Sequence, residues 1–268
     1  MPLPPSIRER IPFGLRIALR RAPALVRDGV RSLSGDGQGQ RSGPEAFPFV
    51  QTERRSPMRR QGTRYEDSLQ QAKEHNVSRS AERLEGLVIG PGQVFSWHQF
   101  VGPPLRANGF VPGPELHDGE LALGGGGGAC QVANLVFYLA ATGGMEILER
   151  HRHGWDLFPD DARTLPFGFG ATVFYPHRDL RFRNPHPHPV RLSLQVVDGW
   201  LVGALSQPQD TGVRWSVEED EHRFVRRPDG VWRENTLLRV RQDGTREVLV
   251  RNQARVTYAL PDGVALER

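Results

Sequence analysis

The chain is 268 residues long, 37% hydrophobic and 25% charged, a globular composition long enough to bury a substantial core and unlike collagen, a coiled coil or a wholly disordered chain. Its formal charge of +4 is unevenly placed: residues 1–60 carry twelve arginines against five acids, and the remainder 23 basic against 26 acidic side chains. The single cysteine excludes an intrachain disulfide, no run approaches the ~18–20 apolar residues of a membrane span, and the start lacks an apolar segment followed by a small-residue cleavage site, so a cytoplasmic location is expected.

In chain order, Leu15, Ala18, Leu19, Ala22, Leu25, Val26, Val30 and Leu33 recur at three- and four-residue steps among Arg16, Arg20, Arg27 and Arg31. This spacing predicts a basic amphipathic helix, kinked or restarted at Pro23. The first expectation is that its apolar stripe packs on the main domain; peripheral contact of residues 14–33 with the inner membrane face is the alternative, and no nucleic-acid partner is expected. Residues 34–62 mix Gly, Ser, Pro and Arg and read as a flexible linker. Residues 1–62 are therefore read as an extension, with the folded domain starting at Thr63.

Residues 65–82 are polar with a helical look, and LEGLVIGPGQVFSWHQFVG suggests short strands around the Pro91-Gly92 turn. A loop-rich stretch from Val101 ends in the glycine run Gly124 to Gly128. The following CQVANLVFYLAATGG is the long apolar helical pattern of the chain, stopped by Gly143-Gly144. MEILERHRHGWDLFP reads as a strand entering a loop. Beyond it, Val190, Leu192, Leu194 and Val196 alternate with polar residues up to a hairpin turn at Asp198-Gly199, and LLRVRQDGTREVLVR repeats the pattern over Asp243-Gly244. The predicted fold is α+β: mostly antiparallel sheet packed on a central buried helix that starts at Cys130, with residues 63–207 as the main domain and 208–268 as a β-hairpin extension.

A cysteine between a glycine run and an apolar helix sits at a helix N-terminus, where unpaired amides and the positive end of the dipole favour the thiolate. Gly126, Gly127 and Gly128 would let the backbone approach a substrate, and their amides with the Gln131 side chain could stabilise an oxyanion. His151 and His153 share one face of the next strand and are the candidate bases, His153 preferred because Gly154 leaves room beside it. The plainer alternative is a core thiol beside glycines that allow tight packing. A metal reading would take Cys130, His151 and His153 with one of His177, His186 or His188, but one cysteine with scattered histidines is a weak zinc signature; no metal and no cofactor is expected.

The ordered segments LEGLVIGPGQVFSWHQFVG, GGGGGACQVANL, ERHRHGWDLFP and DLRFRN resemble the VanW-like family over about residues 63–207, and WSVEEDEHRFVRR resembles the tail of its compact members. The family takes its name from a vancomycin-resistance operon, so the resemblance implies a role in glycopeptide resistance or cell-wall precursor metabolism. The family pattern has an aspartate in a G-x-DATV segment where this chain has Gly170, so the acid of a Cys-His-Asp triad must come from Asp156, Asp161 or Asp179, with Asp156 favoured. It also has Ser-Thr where this chain has Ala133-Asn134.

Three function classes follow, the last a membrane-surface adaptor that uses the basic helix. The first is a cysteine-dependent acyl transferase or amide hydrolase acting on a cell-wall precursor peptide. The second is a non-catalytic accessory protein that binds such a precursor or a protein partner in a glycine-lined cleft, with Trp97, His98, Trp155 and Phe158 as contact residues.

Overall fold

The computed structural model describes residues 13–33, 37, 39–59, 66–117, 120–152, 154–156, 164–260 and 263–267. The N-terminal part contains helix α1 (Phe13–Leu33), strands β1 (Gln40–Arg41) and β2 (Phe49–Pro57), and helix α2 (Asp67–Leu84). There follow β3 (Leu87–Ile89), β4 (Val94–Ser96), the single turn α3 (Trp97–Phe100), the hairpin β5 (Gly113–His117) and β6 (Glu120–Gly124), and helix α4 (Ala129–Thr142). The remainder is strand: β7 (Glu146–Glu149), β8 (Trp155–Asp156), β9 (Arg181–Arg183), β10 (Val190–Val197), β11 (Trp200–Gln207), β12 (Trp215–Arg227), β13 (Gly230–Arg241), β14 (Arg246–Val256) and β15 (Leu266–Glu267).

The predicted α+β class is what these elements form. One five-stranded sheet runs β1-β3-β10-β11-β2, a second β15-β12-β13-β14-β8, and a three-stranded sheet β4-β9-β7 lies beside them. The pairings are antiparallel except where β15 joins β12 and β8 joins β14. The predicted Asp198-Gly199 turn closes β10 onto β11 with both residues at positive φ, 48° and 77°, the conformation a two-residue hairpin with right-handed strand twist needs. Gly244, at φ 87°, does the same work between β13 and β14.

Helix α4 starts at Ala129, one residue before the cysteine, and is apolar nearly all round. Val132, Ala133, Leu135, Val136, Phe137, Leu139 and Ala140 are all buried, as expected of a helix enclosed on every side. They join one core with Leu84 of α2, Leu87 and Ile89 of β3, and Val190, Leu192, Leu194, Leu201 and Leu205 of the first sheet. Each large apolar side chain so buried contributes about 1.5–3 kcal/mol.

Two expectations about the N-terminal region are corrected. Residues 40–59 are not linker: β2 pairs with β11 over its whole length as the edge of the first sheet, and it clamps α4 at both ends. At the helix start, Gln131 Nε2 donates to Ser56 Oγ (3.0 Å) and Pro57 O (2.8 Å). At its end, Thr52 and Thr142 hydroxyls meet at 2.8 Å and Gln51 Nε2 donates to Gly143 O at 3.1 Å. Composition misled here because β2 (FVQTERRSP) is an edge strand, whose polar alternation looks like a loop when its partner is out of view.

The second correction concerns α1, which docks on the body by its polar side. Buried Asp28 accepts from His98 Nδ1 at 2.9 Å, its backbone carbonyl accepts from Gln99 Nε2 at 2.9 Å, Arg27 donates to Pro176 O at 3.1 Å, and Arg31 pairs with Glu149 at 2.9 Å. Burial alone would raise the Glu149 carboxyl, but the His151 hydrogen bond and the charges of Arg31, His151 and Arg27 outweigh it and hold the pKa at about 2. The apolar stripe does not make this contact.

The C-terminal stretch is likewise joined to the main domain rather than appended. The second sheet takes β8 from residues 155–156, Arg239 donates to Met145 O at 2.7 Å and Asn235 to Phe167 O at 2.8 Å.

A chain beginning at Thr63 would lose β1, β2 and α1, exposing the edge of β11 and leaving Gln131 without its partners. Such a truncation is expected to lose the cooperative thermal transition of the full chain, followed by circular dichroism; an unchanged melting midpoint would contradict the sheet assignment.

Candidate functional site

The glycine run places Cys130 at the second residue of α4, with Gly128 at φ 99° as the residue before the helix, a conformation that favours glycine. These glycines face protein rather than open space. A Cβ on Gly125 would lie 2.3 Å from Pro104 O, on Gly127 2.4 Å from the Gly113 carbonyl carbon, and on Gly128 2.8 Å from Lys73 O. The Gly126 amide donates to the Glu115 carboxylate at 2.5 Å. The run therefore lets three backbone segments pack tightly, and one of its amides already holds an internal carboxylate.

Cys130 is half-buried and packs against the core. Its thiol lies within hydrogen-bond reach of Val173 O, as donor, at 3.7 Å. Burial pushes the thiol pKa up and outweighs the hydrogen bond at Val173 and the charge of Arg178, which act the other way, with the nearby Glu115 carboxylate adding to the rise. This departs from the expected stabilised thiolate: loss of hydration outweighs the helix terminus.

The other predicted catalytic residues have their own partners. Gln131 is bonded to β2, as described above. His151 comes close in the chain fold, since its carbonyl accepts from Thr172 N at 2.8 Å, next to the residue that holds the thiol; its ring, however, is hydrogen-bonded through Nε2 to Glu149 at 2.9 Å. Asp156 is buried in the second sheet, where it accepts from Tyr258 Oη at 2.8 Å and Arg233 at 3.3 Å. Asp179 lies under α3, accepting from Ser96 Oγ (2.6 Å), His98 N (3.0 Å) and Leu180 N (2.8 Å), and burial raises its carboxyl. His153, Phe158 and Asp161 lie outside the described residues.

Of the expected contact residues, Trp97 belongs to the core and His98 is buried between Asp28 and Arg178 O, which its Nε2 meets at 2.9 Å. Neither can touch a ligand at the surface. Trp155 is half-buried, with the Arg255 guanidinium 5.5 Å from its ring centroid. His186 bonds Gly143 O at 2.9 Å and stacks on His188. Among the described residues no group of three or more His, Cys, Asp or Glu side chains converges as a metal site would require.

The motif residues instead fasten the fold together. Ser96 of the FS turn caps α3 and its hydroxyl donates a hydrogen bond to Asp179 of the DLRFRN segment, while Phe95 stacks on Phe182 at 4.6 Å. Arg150 of the ERH segment reaches Gly168 O, Gly170 O (2.7 Å) and Asn252 Oδ1 (2.8 Å), and its burial lowers its pKa to about 9. From there a buried chain continues: Asn252 Nδ2 donates to Asn235 Oδ1 at 2.8 Å, and Asn235 Nδ2 to Glu219 Oε1 at 2.5 Å.

That chain ends at a polar cleft of about 360 Å³ on strands β12 to β14, with Glu221, Arg223, Glu234, Thr236, Arg251 and Gln253 around Asn235 and Asn252. The strand register shifts here between Asp220 and Arg223, and Glu221 sits at φ 53°, a strained backbone for a residue with a Cβ and one found disproportionately at functional sites. Sequence reasoning missed the cleft. Its one signal was the acidic run in WSVEEDEHRFVRR, and only pairing with β13 and β14 brings that run beside the asparagines.

The two departures from the family pattern prove to be neighbours. A Cβ on Gly170 would lie 2.5 Å from Asn134 Oδ1, and that oxygen accepts from Ala171 N at 2.7 Å.

Two outcomes are expected. Alkylation of Cys130 by iodoacetamide should be slow at neutral pH and rise only above the ordinary thiol range, because the raised pKa keeps sulfur protonated; fast labelling at pH 6 would contradict the assigned proton. Gly170→Asp should lower stability by about 1–3 kcal/mol through the clash with Asn134, and Asn134→Thr should recover part of that loss in a double-mutant cycle.

A family model described as VanW like protein matches residues 72–206. The chain is 24% identical over 267 residues to the Vancomycin B-type resistance protein VanW of Enterococcus faecalis (strain ATCC 700802 / V583), covering 97% of each chain. It is 31% identical over 144 residues to the Uncharacterized protein YoaR of Bacillus subtilis (strain 168), covering 53% of this chain and 45% of that one. No solved structure matches.

Proposed function

This chain belongs to the VanW-like protein family, and from that premise we propose that it is a non-catalytic accessory protein of glycopeptide resistance that binds a cell-wall precursor peptide. The end-to-end similarity to a vancomycin B-type resistance protein supports the setting. The observation that carries the binding reading is the placement of Cys130: its sulfur packs against the core beside Val173 O, where burial raises its pKa, and Gln131, His151 and Asp156 are each engaged elsewhere. A cysteine nucleophile needs a lowered pKa or an adjacent base, and among the described residues neither is present.

The cleft on β12 to β14 supports the same reading. A site that presents the Arg251 guanidinium, the Glu221 carboxylate and the Gln253 carboxamide together suits a ligand carrying both carboxylate and amide groups, as a peptide does. Its floor is held rigid by the network from Arg150, which limits the ordering cost of binding.

The test is calorimetric titration of the full chain with a synthetic pentapeptide of the muramyl-precursor type, with mass spectrometry of the peptide afterwards. Saturable binding, weakened by Arg251→Ala, unchanged by Cys130→Ser and leaving the peptide mass unaltered, is expected. A peptide cleaved or joined by the wild type but not by Cys130→Ser would establish the cysteine enzyme instead, and failure to bind would remove the precursor from the reading.

A further inference from the structure

Helix α1 is amphipathic, yet it faces the body with the wrong side for a helix that packs by hydrophobic burial. Within residues 21–33 the buried positions among the described side chains are Ala24 and Asp28. Val26, Val30 and Leu33 are 66%, 57% and 90% exposed, and Leu25 is 44% exposed. At 3.6 residues per turn Val26, Val30 and Leu33 fall within about 60° of one another, and about 180° from Ala24 and Asp28. Over residues 25–33 the apolar stripe therefore points away from the protein, while Asp28, Arg27 and Arg31 hold the opposite side through His98, Pro176 O and Glu149.

We propose that this face lies on an anionic membrane surface, with its apolar side chains among the lipid chains and its arginines at the phosphate level. The charge of the helix selects this occupant. Residues 13–33 contain Arg16, Arg20, Arg21, Arg27 and Arg31 against a single acid, Asp28, and that acid is buried against His98. Anionic headgroups balance such a helix, whereas a second copy of the chain apposed through the same face would bring two arginine-rich helices together with no accessible acid on either to offset them, even with Arg27 and Arg31 engaged at Pro176 O and Glu149. No helix among the described residues is long and apolar enough to cross a membrane, so the geometry is that of a helix lying in the interface. Phe174, 40% exposed, belongs to the turn that receives Arg27 and adds an aromatic side chain beside the helix.

The experiment is co-sedimentation of the full chain with vesicles of phosphatidylcholine alone and with phosphatidylglycerol added, at low and high salt, for the wild type and for Val26→Glu and Leu33→Glu. These substitutions fall on exposed positions, and an unchanged melting midpoint confirms that each variant is folded. Binding to the anionic vesicles only, falling as salt rises and at least about tenfold weaker for either variant, is expected. Equal partition onto both vesicle types, or variants that bind as well as wild type, would overturn the proposal. So would light scattering that shows a dimer abolished by Val26→Glu in a chain that ignores vesicles, which would assign the face to a second copy.

Discussion

Enclosure of α4 is the constraint on which the rest of this structure depends. A helix that is apolar on nearly all sides, with only Asn134 exposed, cannot lie on a surface, and burying it requires cover from more directions than a single sheet provides. The first sheet and α2 cover two sides, and the start of the second sheet closes another. The cover must also satisfy the helix ends, whose backbone and polar side chains are removed from water. Gln51, Thr52, Ser56 and Pro57 of β2 meet that need, which is why a strand of mostly polar composition is integral to the fold.

The same enclosure explains why motifs with a catalytic look behave as fasteners. A buried donor or acceptor left without a partner costs about 1–3 kcal/mol, and the polar side chains of these motifs that are drawn toward the core find partners. Ser96 is matched by Asp179, Asn76 by Val111 O and Gly127 O, and Arg150 by the 168–170 loop. Cys130 follows the same rule with a weaker donor. The glycines ahead of it allow Pro104, Gly113 and Lys73 to approach the chain at distances any side chain would forbid. In this setting the dipole of the helix acts on a thiol that has lost most of its water, and desolvation prevails.

The polar interior also has a direction. It starts at Arg150, passes through Asn252 and Asn235, and surfaces where β12 bulges beside Glu221. A rigid scaffold that ends in a strained, charged cleft is the arrangement expected of a binding surface. Helix α1 presents the complementary case, with a polar side fixed by a hydrogen-bonded imidazole and an apolar side turned outward. Its orientation is set by short-range contacts: Asp28 with His98 and Gln99, Arg27 with Pro176 O and Arg31 with Glu149.

Features that depend on neighbouring residues were legible in the sequence. The apolar run 132–140 specifies a buried helix, Asp198-Gly199 and Asp243-Gly244 specify hairpins, and the ordered motifs specify the family, because each rests on periodicity, on positive φ or on a local spacing. What the tertiary structure alone decided is which partner each polar side chain finds. Asp28 meets His98 from 70 positions away, Arg191 meets Ser42 O from 149 and Arg150 meets Asn252 from 102. Such partners determine whether Cys130 is a thiolate or a thiol, whether residues 49–57 are strand or linker, and which side of α1 faces out. Hydrogen bonds and ion pairs act over about 3 Å in space and place no condition on separation along the chain, so no local pattern could contain them.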